Sequence, residues 1–247
     1  MRTLVLVFTF LLASPVVAQN ASDKLSPAET REAQKLAHTF ARRLLRTKDL
    51  TPLVNKYFVP DFLNGYLKDT DPSWFLYLKR DVATQVSRAE LRRYFIAELN
   101  WFYMCELYVF SRYSSRSDLD IPPEKMYPPD VLKVFRSDAR LRATVEDKAT
   151  DDSELMIGTV EQFRTFMQRL EDATRLLRKH ARRINAGHTP QYRETLAEWT
   201  DRYSLYDPWL THTNNTRRID INIPSIQLQL ARVNGRLRVV AAWFLVD

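Results

Sequence analysis

Between Arg88 and Tyr113 the chain reads RAELRRYFIAELNWFYMCELYVFSRY. Its first turns are amphipathic, but from Trp101 to Phe110 every residue except Glu106 is apolar or aromatic, and no Gly or Pro interrupts the run. A helix that is apolar all round must be covered on all sides. The run rises only about 15 Å, well short of the roughly 20 residues that a membrane span needs. The stretch is therefore expected to be the buried central helix of a helical bundle, with the other elements packed around it.

The rest of the chain supplies those elements. Ser26-Pro27-Ala28-Glu29 has the form of a capping box, with Ser26 at the N-cap and Pro27 at the first helical position. Ala33, Leu36, Ala37, Phe40, Ala41 and Leu44 then recur at spacings of three and four, one continuous apolar face. Thr51–Lys68, broken by Pro52 and Pro60, reads as two short helical pieces, and Trp74–Val82 as another, with Ser87 capping the central helix. Ser114–Pro129 reads as a largely irregular connection, Asp130–Arg140 as a short helix and Gln191–Trp199 as one more. Val160, Phe163, Met167, Leu170, Thr174, Leu177, Ala181 and Ile184 form a heptad seam on a second long helix, Val160–Ile184. A contact within the bundle is preferred over dimerisation through that seam.

The end of the chain changes period. Ile219–Ile223 alternates apolar and polar residues, and IQLQLARV-NG-RLRVVAAWFLV has the pattern of a hairpin turning on Asn234-Gly235 in a type I′ turn. A two-residue loop would set Leu230 opposite Val239, Leu228 opposite Ala241 and Ile226 opposite Trp243. The last strand is apolar on both sides, so both faces are expected to be covered near its end. The fold class is thus mainly α (α+β): a helical bundle around a buried central helix, with a small C-terminal antiparallel sheet of two or three strands. Residues 19–247 are read as one domain, ending in the hairpin at about 219–247.

Met1-Arg2, the apolar run Leu4–Leu12 and Val16-Val17-Ala18 before Gln19 have the layout of a secretory signal, with residues 1–18 removed. A secreted or periplasmic protein is expected, with no transmembrane segment in the mature chain. Cys105 is the only cysteine, so no disulfide can form within the chain, and in an apolar helix it reads as a core filler. Lys and Arg total 37 against 30 Asp and Glu, spread along the chain, for a net +7. That is a mixed surface with a mild basic bias, and nucleic acid is not expected as a partner. The four glycines are isolated, which removes phosphate-cradling loops and the G-x-S-x-G elbow. No cofactor is expected.

Candidate chemistry is sparse. Glu98 and Glu106 share the central helix, eight residues apart and about 80° round it. A carboxyl in an apolar run acquires a raised pKa, as general acids require; the competing reading pairs Glu106 with an arginine. Arg175, Arg178, Lys179, Arg182 and Arg183 gather at a helix end. They suit the helix dipole there, and that solvated reading is preferred over an anion grip. Trp199, Tyr203, Tyr206 and Trp209 form an aromatic cluster that either fills the core or binds a ligand. His212, in a polar stretch, is the best placed histidine, and none of the four has metal-site spacing.

No sequence motif points to a family. Helices followed by a terminal sheet resemble in outline the cone-shaped small-ligand folds of the nuclear-transport-factor-2 type, which use a longer sheet than the one read here, and nothing is carried over from them. The function expected first is a non-catalytic binding or interaction protein, monomeric, taking a small ligand or a protein partner. The alternatives are a hydrolase or transferase using Glu98 or Glu106 in a helix-lined cleft, and a structural dimer joined at the Val160–Ile184 seam.

Overall fold

A computed structural model describes residues 24–44, 49–63, 78–112, 127–136, 157–186, 208–213, 216–223 and 226–244. Among them are six helices: α1 (Pro27–Leu44), α2 (Thr51–Tyr57), α3 (Arg80–Gln85), α4 (Arg88–Arg112), α5 (Pro129–Arg136) and α6 (Val160–Ala186). Four strands follow, β1 (Trp209–Thr213), β2 (Thr216–Ile223), β3 (Ile226–Val233) and β4 (Arg236–Phe244), in one antiparallel meander of order β1-β2-β3-β4. The class is α+β, mainly helical with a C-terminal sheet. That sheet is larger than the expected two or three strands, because Trp209–Thr213 pairs with β2 where the sequence suggested only a turn and a polar loop. The segments 1–18, 114–126 and 191–199 lie outside the described residues; of the helix expected over Trp74–Val82 residues 78–82 are described, and there Leu78 forms a β-bridge with Ile157 and the helix begins only at Arg80, running on to Gln85.

Helix starts follow the side chains that satisfy their free N–H groups. At α1 the Ser26 N–H donates to Glu29 Oε2 at 3.0 Å and the Glu29 N–H donates to Ser26 Oγ at 3.3 Å. Ser87 and Glu90 repeat that reciprocal pair at α4, with distances of 3.0 and 3.2 Å. At α6 the Gln162 N–H donates to Thr159 Oγ1 at 3.1 Å. Each is a capping box or its near variant.

α4 lies against α6. Arg93 meets Glu171, Glu90 meets Arg164 and Asn100 meets Arg178, so sequence number rises together on both helices and they run parallel. Between them Tyr94 packs edge-on to Phe163, with ring centroids 5.2 Å apart. The heptad seam faces inward: Phe163, Met167, Leu170, Thr174, Leu177 and Ala181 are all buried. Phe58, Phe62 and Phe95 form a second aromatic cluster, joined by Phe40 of α1. Cys105 is partly buried against this core.

Ile219, Ile221, Ile223, Ile226, Leu228, Leu230, Leu237, Val239 and Ala242 give the sheet its buried face. α1 and α2 hold to the sheet: the Val59 N–H donates to the Val239 carbonyl at 3.0 Å, and Arg217 clasps Glu29 with contacts of 2.5 and 3.0 Å. The turn at Asn234-Gly235 forms as expected, with φ of 51° and 77°, left-handed values that a type I′ turn needs at both positions. The register expected beyond it does not hold. Leu230 faces Val239, but Gln229 then faces Ala241, Leu228 faces Ala242 and Ile226 faces Phe244. Val240 is a β-bulge. Its extra residue switches the inward parity of β4 from Leu237 and Val239 to Ala242, while the coverage expected near the strand's end falls on side chains outside the described residues.

The Glu29–Arg217 contact joins residues 188 apart in sequence. Arg217, then the Ser26 cap, hold the Glu29 carboxyl down at about 2 despite its burial. Its folded pKa is depressed, so its contribution to stability is present above the ordinary value of 4.5 and fades as pH falls towards 2. Glu29→Gln should cost about 1–2 kcal/mol at pH 7, allowing for partial solvent screening, and should flatten the acid side of the stability profile. Urea unfolding at pH 7 and pH 3 measures both, and identical losses at the two pH values would refute the assignment.

Candidate functional site

One face of α4, at spacings of three and four, carries Ala89, Arg92, Arg93, Ile96, Ala97 and Asn100. This face, the Asp49–Asn55 segment and the Glu171, Thr174 and Arg178 positions of α6 enclose a cleft of about 470 Å³. The alanines leave the space, while the polar residues line it. A volume of that order suits a small molecule, about 300–1,000 Å³ being usual for such sites.

Asn100 organises the inner end. Its Oδ1 accepts the Leu50 N–H at 3.0 Å and Arg178 Nη2 at 3.1 Å, and its Nδ2 donates to Asp49 Oδ1 at 2.9 Å. Asp49 Oδ1 also takes the Thr51 N–H at 2.9 Å and the Thr51 hydroxyl at 2.7 Å. Burial would raise the Asp49 carboxyl, but these Thr51 and Asn100 hydrogen bonds outweigh it, and the group is held below its usual range. Asp49 is therefore a carboxylate at neutral pH. Arg92 spans the other wall, donating to the Val54 and Val59 carbonyls and to Asn55 Oδ1.

Most basic side chains around the cleft are matched. Arg93 holds Glu171 with two contacts of 2.6 and 2.5 Å, Arg164 holds Glu90, and Arg175 holds Asp172. Arg178, Lys179 and Arg182 differ. Among the described residues none of these three has a carboxylate within 4.0 Å. They border a second, contiguous depression of about 640 Å³ with Arg175 and Leu176. Arg178 belongs to both clefts. Its Nε–H is enclosed by protein and has no acceptor, and its single hydrogen bond goes to Asn100. Burial weakens its hold on its proton, Asp49 opposes that, and Arg182 adds to it. So the cluster expected to be a solvated helix end turns one arginine inward, and that one lacks an anion.

The other sequence candidates lie elsewhere. Glu98 is 7% exposed and sits two residues before Asn100, about 200° away round the helix, so it points away from the cleft. Burial, opposed only by a hydrogen bond from Tyr94, pushes its carboxyl up to about 8, and Oε2 has no partner. The backbone of Glu106 continues α4, but its side chain is outside the described residues. Trp199, Tyr203 and Tyr206 are outside them as well. Trp209 is 38% exposed at the start of β1. His212, expected in a loop, is instead an exposed residue of that strand, opposite Arg217. Strand alternation puts Trp209 and His212 on opposite faces, so they do not form one site.

Other polar groups are buried in the sheet. Asp220 is 4% exposed, burial raises its carboxyl despite nearby Thr211 and Gln229, and its Oδ1 makes no hydrogen bond. His180 contacts both carboxylate oxygens of Asp130, at 2.9 and 3.0 Å. Among the described residues no group of three or more His, Cys, Asp or Glu is placed to hold a metal ion.

Asp49, Thr51, Asn55, Arg92 and Asn100 carry no motif. The one available signal is that Asn100 extends the polar stripe of the first α4 turns into its apolar part. Asn100→Ala leaves the Leu50 N–H and the Arg178 and Asp49 side chains without their partner, and should destabilise by about 2–3 kcal/mol. Chemical denaturation measures this, and a loss under half a kcal/mol would show that the amide is dispensable. Glu98 gives the opposite pH signature to Glu29. Its folded pKa is raised, so its stability contribution is complete below 4.5 and is lost as pH climbs to about 8. Glu98→Gln should remove that decline, on the order of 1.4 kcal/mol per pH unit while it lasts. Wild-type and variant melting curves that stay parallel from pH 5 to 8 would contradict it.

Comparison with protein-family models, with curated proteins and with solved structures gives no match for this chain.

Proposed function

We propose that this is an exported, non-catalytic binding protein whose ligand is a small anion seated on Arg178. The observation that carries the reading is the Arg178 guanidinium: half-buried, lining both depressions and, among the described residues, with no carboxylate within 4.0 Å. A half-buried cation held only by a neutral amide is destabilising, and an anion bound in the cleft that Arg178 lines supplies the opposite charge. Lys179 and Arg182 stand on the outer side of the same depression and draw anions towards it.

In this reading the helices form a bundle around α4, residues 19–247 make one domain, and the protein acts as a monomer. Export rests on the basic start, short apolar run and small residue at Ala18. Among the described residues no helix is long and apolar enough to cross a membrane.

Calorimetric titration of the full chain, secreted by a bacterial host, with acetate, succinate and inorganic phosphate tests the proposal. At least one should bind saturably and more weakly as salt rises. Arg178→Gln should weaken that binding by about tenfold or more, the usual worth of a charge-assisted hydrogen bond, without lowering the unfolding midpoint. Equal binding by wild type and Arg178→Gln, or none by the wild type, would overturn it.

A further inference from the structure

Beside Arg178 the cleft is also lined by a carboxylate, Asp49. All three hydrogen bonds to the Asp49 carboxylate fall on Oδ1, from the Thr51 N–H, the Thr51 hydroxyl and Asn100 Nδ2. Among the described residues no hydrogen bond reaches Oδ2, on an exposed residue that lines the cleft. Asp49 and Arg178 sense one another's charge yet form no ion pair within 4.0 Å. Asn100 holds them apart, its Nδ2 on Asp49 at 2.9 Å and its Oδ1 on Arg178 at 3.1 Å. Arg178 is half-buried and Asp49 exposed, and opposite charges side by side attract one another. Here one amide group fixes the gap between them and keeps both available.

We infer that the cleft takes a zwitterion whose ammonium and carboxylate are one carbon apart, an α-amino acid or a ligand ending in one, with its carboxylate on Arg178 and its ammonium on Asp49 Oδ2. This rests on Arg178 being the anion seat and adds the second contact. The chemistry at the two ends is complementary. A guanidinium edge matches a carboxylate, and a carboxylate with a free oxygen matches the donors of an ammonium group. Arg92 is committed to the Val54 and Val59 carbonyls, and Arg93 to Glu171, so Arg178 and Asp49 are left as the charged pair for a ligand. The ligand's own side chain would run along Ala89, Ile96 and Ala97, the apolar part of the lining.

The test uses matched ligands on the full chain: alanine against propionate, leucine against 4-methylpentanoate, and the N-acetyl derivative of each amino acid. The free amino acids should bind at least tenfold more tightly than their deamino and N-acetyl counterparts. Asp49→Asn preserves the acceptor for Thr51 and Asn100 but replaces the Oδ2 carboxylate oxygen, so it should erase that preference while leaving affinity for the plain carboxylates within about twofold. Plain carboxylates or N-acetyl derivatives that bind wild type as tightly as the amino acids would overturn the zwitterion and leave the anion seat standing. Lactate equalling alanine would also overturn it, by showing that a hydroxyl suffices. Binding of none of these ligands would remove the anion seat as well. If Asp49→Asn does not fold, the N-acetyl comparison on wild type decides alone.

Discussion

The structure around the cleft depends on one amide. Asn100 is 8% exposed within the α4 helix, where an unsatisfied polar side chain is costly. It is satisfied from three directions at once: the Leu50 backbone, the Asp49 carboxylate and the Arg178 guanidinium. Those groups belong to the start of α2, to the loop before it and to α6. Three parts of the chain, separated by 50 and 78 residues, are therefore set against each other by one side chain. Its fixed amide geometry also keeps two opposite charges from closing onto one another. The structure and the proposed binding chemistry share that constraint.

Much of the helical layout is legible because it rests on local chemistry. The capping boxes at Ser26 and Ser87 need only the side chains three residues on, and the inward face of α6 follows from its spacing. The Asn234-Gly235 turn is equally local, since its two positive φ values select those residues. What local rules miss is set by pairing. β1 is only five residues long, too short for its sequence alone to mark it, and it lies along an edge of β2. The bulge at Val240 was visible only as an excess of apolar residues on both sides of β4. That excess admits two explanations, double coverage or a parity switch, and only the partner strand's register decides between them.

The candidate site was less legible, for a physical reason. Arg178 stands in a run of cations that suits the end of any exposed helix. Nothing in its own neighbourhood distinguishes it from Arg175, which pairs locally with Asp172. The difference comes from Asn100 and Asp49, which the fold delivers from far along the chain. Glu98 teaches the converse. Its raised carboxyl follows from the apolar stretch in which it sits, as sequence reasoning expects, but its helix angle turns it away from the cleft. Perturbation of a pKa therefore marks burial here, and the proposed ligand cleft lies on the other side of the same helix.

The most direct test is to watch the Arg178 Nε–H itself. In a nitrogen–proton correlation spectrum of the isotopically labelled protein, an enclosed Nε–H exchanges slowly with water and gives its own peak, assignable by its loss in Arg178→Lys. Adding alanine should shift that peak saturably, well beyond the shifts of the Arg93 and Arg217 Nε–H peaks, whose side chains already hold carboxylates. An Arg178 peak that stays fixed, or that moves only in step with the other arginines, would contradict the account.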